Sequence, residues 1–179
     1  NFGVLAVLKY LNPVMAWGAS LLGGSAPSLG LVLPLGISFY TFQSMGYLID
    51  VYNGKYAPEK NPAKFALFVS FFPQLIQGPI ARFDQLESQL VTPHRFDLDG
   101  IERGLLLMLW GWFKKKVIAD RALSLVEAVF GSQSAYGGAV IVVGVLFYSL
   151  QQYADFSGGI DLVTGIAQLF GIQLAPNFR

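Results

Sequence analysis

The chain contains no cysteine and a single histidine, His94. Without cysteine there is no disulfide, no thiolate nucleophile and no Cys-ligated metal. Charge is scarce as well. Of the 179 residues, 13% are charged and 54% hydrophobic, whereas a soluble domain carries roughly 25% charged residues. The charges nearly cancel, 12 basic against 11 acidic, so no global field points to nucleic acid. Short β-branched runs alternating with helical patterns are missing, which removes a βαβ reading. There is no internal repeat and no low-complexity tract. The start, NFGVLAVLKYLNP, lacks the basic region and small-residue cleavage site of a signal peptide. What remains is an all-α pattern of long apolar stretches. It implies a polytopic transmembrane helical protein with broken and re-entrant helices.

The stretch around which the rest is arranged is Pro34 to Tyr52. It is apolar in background yet carries Ser38, Tyr40, Thr41, Gln43, Ser44 and Tyr47. Polar groups at membrane depth cost free energy unless they are partnered or hydrated. Pro34 and Gly36 predict a helix break where that polar run begins. One reading aims these groups into the protein interior. The other is a core helix whose Ser and Thr bond back to their own backbone.

Along the chain, Lys9 and Pro13 predict one helix ending near Tyr10 and another starting at Pro13. Residues 23–28 form a loop, and Asp50 to Lys64 a polar loop with Asn53-Gly54. Asn61-Pro62 reads as an N-cap followed by a first-turn proline. Pro73 and Gly78-Pro79 should interrupt and end the next helix, which reads either as a kinked packing helix or as a helix end lining a tunnel, with Gln74 and Gln77 bonding to freed carbonyls. Gly104 to Phe113 would rise only ~15 Å as a helix, about half the bilayer core. That favours a re-entrant or interfacial piece, with Asp84–Glu102 and Lys114–Arg121 on one, cytoplasmic, side. A full span extended by snorkelling lysines is the alternative. Ala139 to Tyr153 is the cleanest spanning pattern. It leads into DFSGGID, where Gly158-Gly159 is expected to bend the chain and bring Asp155 and Asp161 closer. A capping role is the other reading of these two carboxylates.

Four stretches carry a family resemblance. They are PLGISFYTFQSMGYLIDVY (Pro34 to Tyr52), FALFVSFFPQLIQGPIARF (Phe65 to Phe83), GLLLMLWGWFKKKVIAD (Gly104 to Asp120) and YSLQQYADFSGGIDLVTGIAQLFGIQLAPNF (Tyr148 to Phe178). In this order they resemble the membrane-bound O-acyltransferase family. The nearest branch O-acetylates alginate and other exported polysaccharides and D-alanylates teichoic acids. The resemblance implies that 1–179 is one membrane-embedded region, an internal fragment of a larger acyltransferase in the bacterial inner membrane. The family's catalytic histidine then lies beyond Arg179. No position here matches it, His94 included, and the fragment alone is expected to be inactive.

The resemblance further implies transfer of an acyl group, acetyl in the first place, from a cytoplasmic thioester. The donor would be acetyl-CoA or an acyl carrier protein, with no bound cofactor and no metal. The acceptor would be hydroxyls of an exported polysaccharide, or a periplasmic or extracellular relay protein. Membrane lipid is the other partner, and nucleic acid is not one. Candidates for lining or supporting the tunnel are Ser38, Tyr40, Gln43, Gln77, Arg82, Tyr153, Asp155, Ser157 and Asp161. Asp155 is the candidate for orienting the histidine. The lysines Lys114 to Lys116 read as a topology signal or as an anionic-lipid or carrier contact. Arg82 reads as a phosphate ligand or as a rim arginine paired with Asp84. A transporter or channel portion is the competing class, because broken helices with mid-membrane Gln, Tyr and Asp occur there too.

Overall fold

The computed structural model describes residues 2–24, 27–32, 34, 36–78, 81–132 and 135–177. Pro79, half of the expected helix-ending pair, lies outside them, as do Ser25 and Ala26 of the first loop and Phe178 of the last matched stretch. The described residues are helical, with no strand among them. They cluster into two compact units: residues 1–76 with 80–90, and residues 77–79 with 91–179.

The first unit begins with α1 (Phe2–Leu21), one unbroken helix with Pro13 inside it. The expected break at Pro13 does not occur. A proline removes one donor, and the surrounding turns keep their own bonds. Next door, the Asn12 side chain pins the following segment, donating to the Leu29 carbonyl at 2.8 Å and accepting from its N–H at 3.1 Å. Helix α2 (Ile37–Tyr52) starts directly after Gly36, whose φ of +76° is the left-handed region. A β-carbon there would also lie 2.8 Å from the Leu75 carbonyl oxygen. Only glycine meets both demands.

Helix α3 (Pro62–Val69) has the expected start, with the Asn61 side chain accepting from the Ala63 N–H at 2.9 Å. The chain breaks before α4 (Phe72–Ile76). Pro73 falls in the first turn of α4, where its missing N–H does no harm. Helix α5 (Phe83–Val91) completes the unit. Its core is aromatic: Tyr47 packs its ring 4.8 Å from both Phe65 and Phe83, and Phe68 lies 5.1 Å from Phe83.

The second unit is an antiparallel hairpin of long helices. Helix α6 (Leu98–Phe113) passes through a π-helical segment, Lys114–Ala119, into α7 (Asp120–Gly131). Phe113, Lys114, Ala119 and Asp120 all keep right-handed helical angles. The chain does not reverse at the lysines, and the expected re-entrant turn is not formed there. Helix α8 (Gly138–Leu169) then returns as a single 32-residue helix. The expected bend at Gly158-Gly159 is absent.

Glycines set the closeness of this hairpin. A β-carbon on Gly111 would lie 2.5 Å from the Gly158 carbonyl oxygen, and one on Gly165 would lie 2.5 Å from that of Gly104. Gly144 meets Val129 further along. Backbone thus lies on backbone at two points seven residues apart on each helix, a contact that small residues alone permit.

Helices α1 and α8 are each long and apolar enough to cross a membrane. Their apolar surfaces are mostly uncovered by the rest of the chain, with Val142, Leu146, Val14 and Trp17 more than half exposed. Patches of this kind fit a lipid environment.

Candidate functional site

In the first unit, the polar run of α2 divides. Thr41, Gln43, Ser44 and Tyr47 are buried, while Ser38 and Tyr40 are half-buried. Ser44 bonds back to the Tyr40 carbonyl at 2.7 Å, the local back-bonding foreseen as the plain alternative. The Tyr47 hydroxyl accepts from the Glu59 N–H at 2.7 Å and so anchors the loop after α2. Gln43, only 3% exposed, donates through Nε2 to Oε1 of Gln74, itself 1% exposed, at 2.9 Å. The Gln74 oxygen thus receives the amide of another helix. Gln43 Oε1 has no partner among the described residues. A cleft of about 220 Å³ borders Gln43 and also meets Asp50 and Arg82.

Arg82 is exposed, and the carboxylate assigned to it as partner, Asp84, pairs with Lys55 at 3.1 Å. Arg82 serves the backbone: its carbonyl receives the Gln85 and Leu86 N–H groups at 3.2 Å as α5 begins.

In the second unit, polar chemistry gathers where the π segment meets α8. Lys114 Nζ lies 2.6 Å from Asp161 and 3.4 Å from Ser157 Oγ. Lys115 pairs with Asp155. Ser157 is 1% exposed. The Lys114–Asp161 pair is the more enclosed, at 15% and 21% side-chain exposure, against 34% and 36% for Lys115–Asp155. Asp155 and Asp161 sit inside an unbroken helix, so neither is a cap. Six residues apart, they point in different directions around α8. Two consecutive lysines reach both of them. Local widening of this kind is frequent at functional sites.

Gly158 lets the partner helix in, with its β-carbon position 3.1 Å from the Lys114 Cβ. Gly159 is occupied on its open side by the Gln77 amide, which a β-carbon would overlap. Tyr153 faces outward at 56% exposure. The structure therefore brings together Gln77, Asp155, Ser157 and Asp161 of the candidates, and joins Lys114 and Lys115 to them. Sequence reasoning saw the lysines as a surface signal. Their pairing becomes visible only with the antiparallel register, for which the glycines at 104, 111, 158 and 165 were the available cue.

His94 is exposed but not isolated. Its Nδ1 would lie 2.9 Å from a β-carbon on Gly171, whose φ is +74°. It borders a cleft of about 590 Å³ between the start of α6 and the end of α8. Among the described residues no cluster of His, Cys, Asp and Glu could hold a metal.

No family model matches the chain. Individual proteins do. It is 35% identical over 184 residues to a probable alginate O-acetylase AlgI of Pseudomonas syringae, covering 98% of this chain and 34% of that protein. The Helicobacter pylori peptidoglycan O-acetyltransferase is 33% identical over 100% of this chain and 39% of its own length. A Streptococcus thermophilus teichoic acid D-alanyltransferase is 28% identical over 80% of this chain and 36% of its own length. The chain spans about a third of the length of these curated relatives.

Proposed function

From the membrane-bound O-acyltransferase family, to which this chain belongs, we propose that it forms part of an enzyme acylating cell-envelope polysaccharide. The acyl group, acetyl in this reading, moves from a cytoplasmic thioester of coenzyme A or an acyl carrier protein. It passes to hydroxyls of the exported polymer or to a relay protein, across the inner membrane. The observation that carries this is similarity along almost the whole chain to O-acetyltransferases of two different polymers.

Charged groups supply further support. Lys114, Lys115, Asp155 and Asp161 meet between two largely apolar helices. Such charges are expensive at membrane depth and are commonly tied to function. In this reading Asp155 orients the histidine that performs general-base catalysis, and Lys115 holds Asp155 in place. That histidine is not His94, so residues 1–179 alone turn over no acyl thioester.

The test is the acyl content of the polysaccharide in cells carrying Asp155→Asn in the complete enzyme, normalised to protein in the membrane. A fall by orders of magnitude is expected. The double replacement Lys115→Met/Asp155→Leu removes both charges together, which spares the fold a lone half-buried ion. It should restore the protein level without restoring acylation. Near-normal acylation in either variant removes Asp155 from the reaction.

A further inference from the structure

The cleft at the open end of the hairpin is not used by the proposed chemistry. Its polar wall holds His94, Arg95, Asp97, Arg103, Gln168 and Gln173. Asp97 is committed twice: its side chain caps α6 by accepting from the Asp99 N–H at 3.2 Å, and it lies 3.7 Å from Arg103. Arg95 has no ion-pair partner among the described residues. Gln168 Oε1 is buried and has no hydrogen-bond partner among them. A buried acceptor left open in this way is satisfied when a donor arrives from outside.

The surroundings of the cleft are apolar. Phe96 is 81% exposed, Leu98 68% and Phe170 53%. Gln168 itself stands in the last turn of α8, one of the two helices able to cross a membrane. Arginines beside exposed aromatic and aliphatic side chains at a spanning helix end suit the headgroup region of a bilayer.

We propose that this cleft binds the headgroup of an anionic phospholipid that carries a hydroxyl, such as phosphatidylglycerol. Arg95 and Arg103 take the phosphodiester, a pairing that the guanidinium fork favours. Gln168 Oε1 accepts from the headgroup hydroxyl. Phe96, Leu98 and Phe170 rest against the acyl chains. The same phosphate chemistry exists in soluble phosphate esters, but these would leave the apolar rim exposed to water. The inference uses the membrane setting of the proposed function and not its acyl transfer.

The chain is extracted, delipidated in a zwitterionic detergent and titrated with single lipids, with bound lipid read by native mass spectrometry. Wild type should bind phosphatidylglycerol more tightly than phosphatidylmethanol, which has the same charge and no headgroup hydroxyl, and either more tightly than phosphatidylcholine. Arg95→Ala should weaken phosphatidylglycerol binding about five- to tenfold, and Arg95→Lys should recover part of it. Gln168→Leu should erase the preference over phosphatidylmethanol and leave binding of the latter unchanged. Equal wild-type affinity for phosphatidylglycerol and phosphatidylmethanol, a measurement that needs no variant, overturns the hydroxyl contact. Displacement by coenzyme A or inorganic phosphate at equal concentration identifies a soluble phosphate site and overturns the lipid assignment. Unaltered lipid binding by Arg95→Ala and Arg103→Ala places the lipid elsewhere. Recovery of the chain in the aqueous rather than the membrane fraction would instead refute the membrane setting, and with it the proposed function.

Discussion

Tyr56 shows how a loop residue acquires a perturbed acidity. Its ring lies 6.0 Å from Tyr47 and 5.7 Å from Phe83, and its hydroxyl donates to Asp50 at 3.4 Å. Burial, reinforced by the negative charges of Asp50 and Asp84, pushes its pKa up from 10.0 to about 12. A phenol whose pKa is raised on folding favours the folded state while it stays protonated. That contribution is complete below pH 10.0 and is lost as pH rises towards about 12. Phenolate absorbance should therefore show one tyrosine titrating late, and Tyr56→Phe should remove that step and its share of alkaline destabilisation. A step that stays in place in Tyr56→Phe assigns it to another tyrosine. The sequence offered only a polar loop here, because the aromatic neighbours at 47 and 83 come from two distant helices. Gln43 was legible as a buried amide from its apolar context, but its partner, Gln74, was not.

At the scale of elements, local punctuation was easy to read and long-range pairing was not. Asn61-Pro62, Asn53-Gly54 and Gly36 each shape the backbone immediately beside them, so the chain around them reveals the turn or the helix start. Pro13 misled, since a proline signals a break that the rest of a helix can override. The hairpin was the larger omission. Apolar length argued that residues 104–113 were too short to cross, whereas the helix simply continues through three lysines, two of which find carboxylates on α8 and the third Asp120 one turn on. Gly111 and Gly158 make this possible. Gly111→Ala or Gly158→Ala should destabilise the hairpin by about 1–3 kcal/mol through forced separation. Gly131→Ala, where nothing lies within 4 Å of the added carbon, should be neutral or slightly favourable. Unfolding in a denaturing detergent series measures all three, and equal stability of the Gly111 variant and wild type would contradict close backbone packing.

For the whole molecule, the decisive quantity is length. The run from Leu98 to Gly131 is about 50 Å long as a helix, and α8 about 48 Å, against a bilayer core of about 30 Å. Helix α8 is apolar enough to cross, and the run packed beside it carries its charges at the lysine triplet, where two of them pair with α8. Taken as a crossing hairpin, the pair would set its turn and its open end on opposite faces, against the same-side arrangement drawn from the short apolar segment. Single cysteines at Arg95 and Tyr136 should accordingly react with an impermeant thiol reagent from opposite sides of intact inverted and right-side-out vesicles. Reaction of both from one side would return residues 98–131 to an interfacial or re-entrant position. The apolar, all-helical character was legible in bulk composition; the pairing of helices required coordinates.

The π segment has one more meaning. Among the buried positions of this run, which also include Ala122 and Val129, Gly104, Gly111, Ala119 and Val126 form one series. Their intervals are seven, eight and seven, a heptad cadence carrying a single insertion within or beside the lysine triplet. A π turn is how a helix absorbs one additional residue without losing its seam. The stretch before Lys114 and the stretch after Ala119 therefore belong to two different frames of one repeat. The insertion is what lets two adjacent lysines, rather than one, turn towards the same neighbour.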